Sequence, residues 1–207
     1  MLIELAPFLV FVAAVLLICV TPGPDMVYIL VHGVSQGTRA ALVASLGMAA
    51  GMLCHTTAVV LGVAALVQSS PVAYQMLRYA GAAYLVYLGL RTLRDAAGPQ
   101  TVTVQDSVPL PVVFRRATVT NLLNPKILLF YLAFLPQFVE PSAGRPALQL
   151  LILGLTFVVL GLLVDSLIGL LSGRIGIWLH TRQRIGTWLD RFAGVVFLGL
   201  AARVAIV

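Results

Sequence analysis

Residues 21–25 read Thr21-Pro22-Gly23-Pro24-Asp25, and they interrupt an apolar run that otherwise extends from about residue 6 to 31. Two prolines and a glycine in five residues cannot continue a regular helix. Each proline removes a backbone donor and clashes with the preceding turn. Yet the chain stays apolar on both sides, from Leu16-Leu17-Ile18 to Tyr28-Ile29-Leu30-Val31. The expected object is a helix broken inside a membrane. Such a break is tolerated only where protein buries it or where it lines a water-filled cavity. Its freed carbonyls and the new helix N-terminus are polar groups ready for a ligand, and that N-terminus favours an anionic group such as a carboxylate. A plain kink, with Asp25 as an N-cap near the interface, is the alternative.

The rest of the chain fits a lipid solvent. Of its 207 residues 60% are apolar and only 10% charged, and the mean hydropathy is +1.04. Soluble domains are about half apolar and about a quarter charged. Six apolar runs near the roughly 20 residues a bilayer demands can be drawn. They lie near 6–31, 41–67, 72–90, 117–138, 148–171 and 188–206. Uninterrupted runs of this length suit helices rather than barrel strands. The expected fold is therefore all-α, a polytopic membrane protein of six transmembrane helices in one domain over 1–207. A polar segment from Asp95 to Pro111 reads as a loop between halves of about 1–95 and 112–207. A five-span form, with the first run re-entrant, stays open. Glu4 and the lack of basic residues before the first run speak for a transmembrane helix rather than a cleaved leader.

Charge placement orients the spans. The loops after the first, third and fifth spans share a side, which holds Arg39, Arg91, Arg94, Arg115, Arg116, Arg174, Arg182, Arg184 and Arg191. The other side holds only Arg78, Arg145 and Arg203. Arginines mark the cytoplasmic side, so the loop over about 92–116 is expected there and both termini outside. The net charge of +6 is thus a topology signal. Its residues stand singly or in pairs, not in the basic stripe with aromatics that nucleic acid requires.

The two halves also resemble each other. Arg78-Tyr79-Ala80-Gly81 matches Arg191-Phe192-Ala193-Gly194, and each opens the third span of its half. Pro24-Asp25 can be set against Pro125-Lys126, and Gly51 with His55 against Gly161 with Asp165. Three spans per half is an odd number, so the second half inserts upside down: an inverted 3+3 repeat with broken first and fourth helices.

The fourth span carries the second break, Asn121-Leu122-Leu123-Asn124-Pro125-Lys126, with the chain's only lysine. An unpaired ion at mid-bilayer costs ~3 kcal/mol or more. Asp25 and Lys126 stand at matching places with opposite charge, so a buried pair would offset part of that cost. Snorkelling of Lys126 to the cytoplasmic surface is equally compatible with the sequence. Asp165, flanked by Val164 and Ser166, is an intramembrane carboxylate, for which function or a hydrogen-bonded packing role both stand. His55, beside Thr56 and Thr57, reads as a packing histidine before a proton carrier. Gly47 and Gly51 give a small-xxx-small spacing that suits close packing within the chain. Cys19 and Cys54 read as core or lipid-facing apolar residues.

Thr21-Pro22-Gly23-Pro24-Asp25 at the end of a first span, a glycine-rich second span and Asn124-Pro125-Lys126 in the fourth resemble the LysE/RhtB family of amino-acid exporters. The resemblance covers nearly the whole chain, and the two motifs are specific in combination. It implies proton-driven export of amino acids from a bacterial cytoplasm across the inner membrane. It carries over to Thr21, Pro22, Gly23, Pro24, Asp25, Asn124, Pro125 and Lys126. Asn121 and Asp165 join them as candidates on the reading of the residues alone. The expected partners are a small amino acid, protons and the lipid bilayer, with pairing into a homodimer left open. No cofactor, no resident metal and no enzymatic activity are expected. Three other functions remain beside this one. A thiol–disulfide electron carrier needs two thiols brought together, and the fourth span has no cysteine. A metal-ion exporter would have to use Asp25, His55 and Asp165. A non-transporting assembly subunit would leave two broken, charged spans without a purpose.

Overall fold

The computed structural model describes residues 3–94 and 106–172, together with 191, 194–195, 198–199 and 202. Most of the central polar segment, Arg174, Arg182, Arg184, the side chain of Arg78 and nearly all of the sixth apolar run lie outside the described residues. What is described is helical, with no strand among these residues. In chain order come α1 (Leu5–Val20), α2 (Pro24–Gln36), α3 (Thr38–Ser69), α4 (Pro71–Arg94), α5 (Leu110–Leu122), α6 (Pro125–Leu129) and α7 (Pro146–Leu170). After α6 the helix widens into a π-helical segment, Phe130–Phe134, and then tightens into a 3-10 turn, Leu135–Phe138.

Both expected breaks are present. α1 and α2 meet at 52°, and α5 meets the continuous piece from Pro125 to Phe138 at 49°. Thr38–Gly62 of α3 and all of α7 are long and apolar enough to cross a bilayer, and each bent pair passes as one further span. α4 has the length of a span but not the same apolarity, so the third run rests on length alone. The fourth span begins at Leu110 rather than near 117. Arg115 and Arg116 therefore lie within α5, both exposed, instead of preceding it. The reason is that Leu110, Val112 and Val113 start the helix and Val113 is fully buried, which the two arginines conceal in a hydropathy window.

α7 illustrates the inside-out character of a lipid-solvated helix. Leu151, Leu155, Val159, Leu163, Leu167 and Leu170 are exposed at helical spacing, whereas Gln149, Gly161 and Asp165 face inward. A helix apolar all round, with polar groups on its protein face, suits a bilayer and not water.

The broken spans and the second elements of the halves pack antiparallel, the sense an inverted repeat requires. Along the two broken spans, Phe11 meets Phe138 edge to face, Ile18 and Thr21 meet Lys126, Tyr28 reaches Val113, and Gln36 reaches Val108. The first partner rises in number as the second falls, so these spans run antiparallel. The second elements of the halves do the same: Thr56 covers Gly154, Met52 covers Gly161 and Ala41 lies on Gly169. Residues set against each other from sequence meet here in space, Asp25 with Lys126 and Gly161 with the neighbour of Gly51. Gly47 and Gly51 pack within the chain, on α5: Gly47 against Ala117 and the backbone of Phe114, Gly51 against Asn121.

Candidate functional site

The site begins with what proline removes. In a continuous helix the carbonyl of Ile18 would accept from residue 22 and that of Val20 from residue 24. Both positions are proline. The last regular bond of α1 is Thr21 N–H to Leu17 O, 3.0 Å, doubled by the Thr21 hydroxyl to the same oxygen at 2.8 Å. Gly23 then runs fully extended, and α2 opens with Pro24 at its first turn and Asp25 just inside it.

Lys126 fills the gap. Its Nζ donates to Thr21 O at 3.0 Å and to Ile18 O at 3.3 Å, and it pairs with Asp25 Oδ2 at 3.1 Å. The side chains are 12% and 7% exposed, respectively. Lys126 is therefore paired and does not snorkel, which resolves the alternative the sequence left open. The geometry is electrostatically coherent. The ammonium sits at the carbonyl end of α1, and the carboxylate sits at the amide end of α2. Gly23 leaves room for this closeness: a Cβ there would lie 2.6 Å from Asp25 Oδ1 and 2.9 Å from Lys126 Nζ, so the pair would have to shift.

The second break mirrors the first. Asn124 caps α6 through its Oδ1, which accepts from Lys126 N–H at 3.0 Å, while Pro125 takes the first helical position. The Asn124 N–H in turn bonds Asn121 O at 3.0 Å. Asn121 is buried against Gly51 of α3, where a Cβ would come within 2.7 Å of its Oδ1. Asp165 is buried on α7 within electrostatic reach of both Asp25 and Lys126. Among the described residues no hydrogen bond or ion pair to its carboxylate is formed. Thr21, Gly23, Asp25, Asn124 and Lys126 are thus in contact where the two breaks cross, with Pro22, Pro24 and Pro125 making the breaks; Asn121 is tied to Asn124 through its carbonyl, and Asp165 stands within electrostatic reach.

Several residues of this neighbourhood carried a weak sequence signal or none. His55 stacks on Tyr131 with ring centroids 5.4 Å apart and lies against the backbone of Asn121. The Tyr131 hydroxyl meets Thr56 Oγ1 at 3.0 Å. A tyrosine in an apolar run reads as an interface residue, yet Tyr131 is fully buried because the π-helical segment turns it inward. His32 is buried too, bonded to Gln36 at 2.7 Å, and Gln36 accepts from Val108 N–H at 3.1 Å. This chain ties the end of α2 to the start of α5.

The ends of the bundle differ. Toward residues 5–11 and 134–150, Phe11, Phe130, Phe134 and Phe138 form a buried aromatic cluster, with centroids 4.5–6.2 Å apart, and Phe157 packs on Phe130 at 4.8 Å. Toward the arginine end the core is smaller: Met26, Ile29, Leu30, Ala41, Ala44, Met48, Val113, Ala117 and Ile168. There a cavity of about 330 Å³ opens between α2 and α5, lined by Tyr28, Arg115, Arg116, Val119 and Thr120. That is the low end of small-molecule sites.

The geometry weakens one of the competing functions. Among the described residues no three His, Cys, Asp or Glu side chains come together, so Asp25, His55 and Asp165 do not make a metal-ligand set. Cys19 is buried and Cys54 exposed, and both are free thiols.

Comparison with known proteins places this architecture. A family model of LysE type translocators matches residues 16–207. The leucine efflux protein of Salmonella typhimurium is 30% identical over 199 residues, spanning 94% of this chain and 92% of the relative. An uncharacterized membrane protein of Pseudomonas aeruginosa is 33% identical, with 96% and 94% covered. One of Vibrio cholerae is 32% identical, with 93% of each chain covered. No solved structure matches the chain. With a family match that takes in both breaks and relatives aligned almost end to end, the chain belongs to the LysE type translocator family of membrane proteins.

Proposed function

We propose that this protein exports neutral aliphatic amino acids, leucine foremost, from the bacterial cytoplasm across the inner membrane in exchange for protons. The observation that carries the reading is the buried Asp25–Lys126 bridge between two interrupted spans. An ion pair held in lipid, at the point where freed backbone groups of both halves converge, is costly as structure and useful as a transport site. The leucine assignment is supported by what the enterobacterial relatives are named for.

The arginine end faces the cytoplasm and the aromatic end the periplasm, as the charge asymmetry requires. In this conformation the aromatic cluster closes the outer side, while Arg115 and Arg116 flank the way in from the cytoplasm and attract the substrate's carboxylate. A substrate ammonium group competes with Lys126 for Asp25. Protonation of Asp25 from outside weakens its hold on both. Rocking of one half against the other then exposes the site to the periplasm.

Counterflow in proteoliposomes tests this reading. Vesicles loaded with one unlabelled amino acid are assayed for uptake of the same labelled compound. Leucine, isoleucine, valine and methionine should exchange well above protein-free vesicles, and lysine and aspartate should not. Exchange of no amino acid by well-folded protein would refute the assignment.

A further inference from the structure

Arg115 and Arg116 stand side by side on α5, both exposed, and both line the cavity of about 330 Å³ between α2 and α5. Among the described residues neither guanidinium forms an ion pair or a hydrogen bond to protein. Arg116 lies within electrostatic reach of Tyr28 and His32 on α2, so its charge acts across the cavity. Thr120, one turn beyond Arg116, adds a hydroxyl to the lining. Thr118 on the same helix donates back to Phe114 O at 3.0 Å; among the described residues the Thr120 hydroxyl has no such partner. The Tyr28 hydroxyl is committed to Val113 O at 3.1 Å, so Tyr28 serves the cavity as a wall.

The rest of the lining is apolar and open. Val119, one turn beyond Arg115, is 48% exposed, and Leu123, a further turn on, is 74% exposed. Residues at i, i+4 and i+8 lie along one face of a helix, each step about 6 Å deeper. Arg115 stands only about 8 Å along α5 from Leu110, at the cytoplasmic end. From that end inward the face therefore reads cation, apolar, apolar. A phospholipid has the same profile, with a phosphate at the water boundary and acyl chains beneath it. A soluble anion would leave Val119 and Leu123 without a partner.

We propose that this cavity is a headgroup site for an anionic phospholipid of the cytoplasmic leaflet. Arg115 and Arg116 take the phosphate, Thr120 donates to one of its oxygens, and an acyl chain lies over Val119 and Leu123. Guanidinium forks match phosphate oxygens in pairs, and basic pockets between helices on this side of a membrane suit such headgroups. A zwitterionic headgroup brings a second cation beside the arginines, so the site favours phosphatidylglycerol over phosphatidylcholine. The lipid touches α2 at Tyr28 and α5 at the arginines, and it thereby bridges the inner halves of the two broken spans. One phosphodiester charge against two guanidiniums leaves one positive charge at the mouth for a substrate carboxylate. The site does not depend on which cargo the protein carries.

The test is native mass spectrometry of the purified protein in detergent, with phosphatidylglycerol and phosphatidylcholine of identical chains at equal concentration. One-to-one adducts of phosphatidylglycerol should exceed those of phosphatidylcholine about tenfold or more, since each arginine near an anionic headgroup is worth about fivefold. Arg115→Gln/Arg116→Gln keeps helix propensity and should bring the two lipids within about twofold of each other. Either single variant should lower the preference by about threefold or more, and the singles carry the test if the double variant does not accumulate. Arg39→Gln removes an exposed arginine in the first turn of α3, outside the cavity, and should keep the wild-type preference within about twofold. Glycerol phosphate at the concentration of the lipid should not displace phosphatidylglycerol. Displacement would assign the site to a soluble phosphate and overturn the lipid. Equal binding of both lipids by wild type, or a preference that survives in the double variant, overturns the proposal as well. An equal loss in Arg39→Gln would do the same, because it marks a diffuse effect of charge rather than a site.

Discussion

Neutralising one member of the Asp25–Lys126 pair should cost more than neutralising both. Asp25→Asn nearly preserves shape inside the first turn of α2, so packing changes little. Lys126 is left as a cation, 12% exposed, with the carbonyls of Thr21 and Ile18 as its remaining partners. Breaking a buried pair costs ~3–5 kcal/mol, much of it for the stranded charge. Because the two carbonyls stay, the lower end applies, about 3 kcal/mol. For a chain of this length that corresponds to a fall of roughly 6–12 °C in melting temperature. Lys126→Met strands Asp25 instead, and Asp25 Oδ1 already has no protein partner. The double variant Asp25→Asn/Lys126→Met buries no charge and should melt within about 1 kcal/mol of wild type, since a well-packed neutral replacement of a buried pair is often neutral. The assay is thermal unfolding of purified protein in one detergent, read as a double-mutant cycle, with a coupling of about 2 kcal/mol or more expected. Transport should follow a different rule: both singles and the stable double should fail to couple export to a proton gradient. Additive melting shifts, with coupling below about 0.5 kcal/mol, would mean that the two charges do not form a working pair.

Other substitutions separate close approach from mere composition. Gly51→Ala places a methyl 2.7 Å from Asn121 Oδ1, so leucine counterflow should fall sharply, whereas Gly62→Ala, which meets nothing within 4 Å, should leave it unchanged. Phe11→Ala removes the ring that touches Phe130, Phe134 and Phe138 and should destabilise by ~3–5 kcal/mol. Preloaded leucine should also leak from such vesicles without a gradient, while Leu9→Ala, on the lipid side, should do neither. Replacing Cys19 by Ala together with Cys54 by Ser should preserve transport at equal protein level, and abolished transport would revive thiol chemistry. Reporter fusions at residues 100 and 207 should lie on opposite sides, the first cytoplasmic; the same side for both would overturn the six-span arrangement.

The breaks were legible because proline acts locally: Pro22, Pro24 and Pro125 forbid a continuous helix whatever surrounds them. The antiparallel sense of the halves was legible from counting three spans, and the contacts of α3 with α7 follow it. Whether Lys126 pairs or snorkels was not legible, because it depends on the 49° bend and on where α1 ends in space. His55 carried a weak signal for the same reason. Its meaning comes from Asn121 and Tyr131, far away in sequence and brought to it by the packing of α3 on the fourth span. The early start of α5 was hidden by Arg115 and Arg116, which lower the local hydropathy although Val113 beside them is fully buried. Glycines announced themselves only as small residues. Their partners, Asn121 for Gly51 and Met52 for Gly161, are properties of the packed bundle.

The central claim, export of an amino acid against incoming protons, comes down to one measurement. Proteoliposomes containing the purified protein are preloaded with labelled leucine at neutral pH and diluted into neutral or acidic buffer, and release is followed in both. The account predicts release several-fold faster than from protein-free vesicles. It predicts a further acceleration by external acid, which vanishes when a protonophore collapses the gradient. Release that matches protein-free vesicles at both pH values, from protein that remains folded and monodisperse, would contradict it.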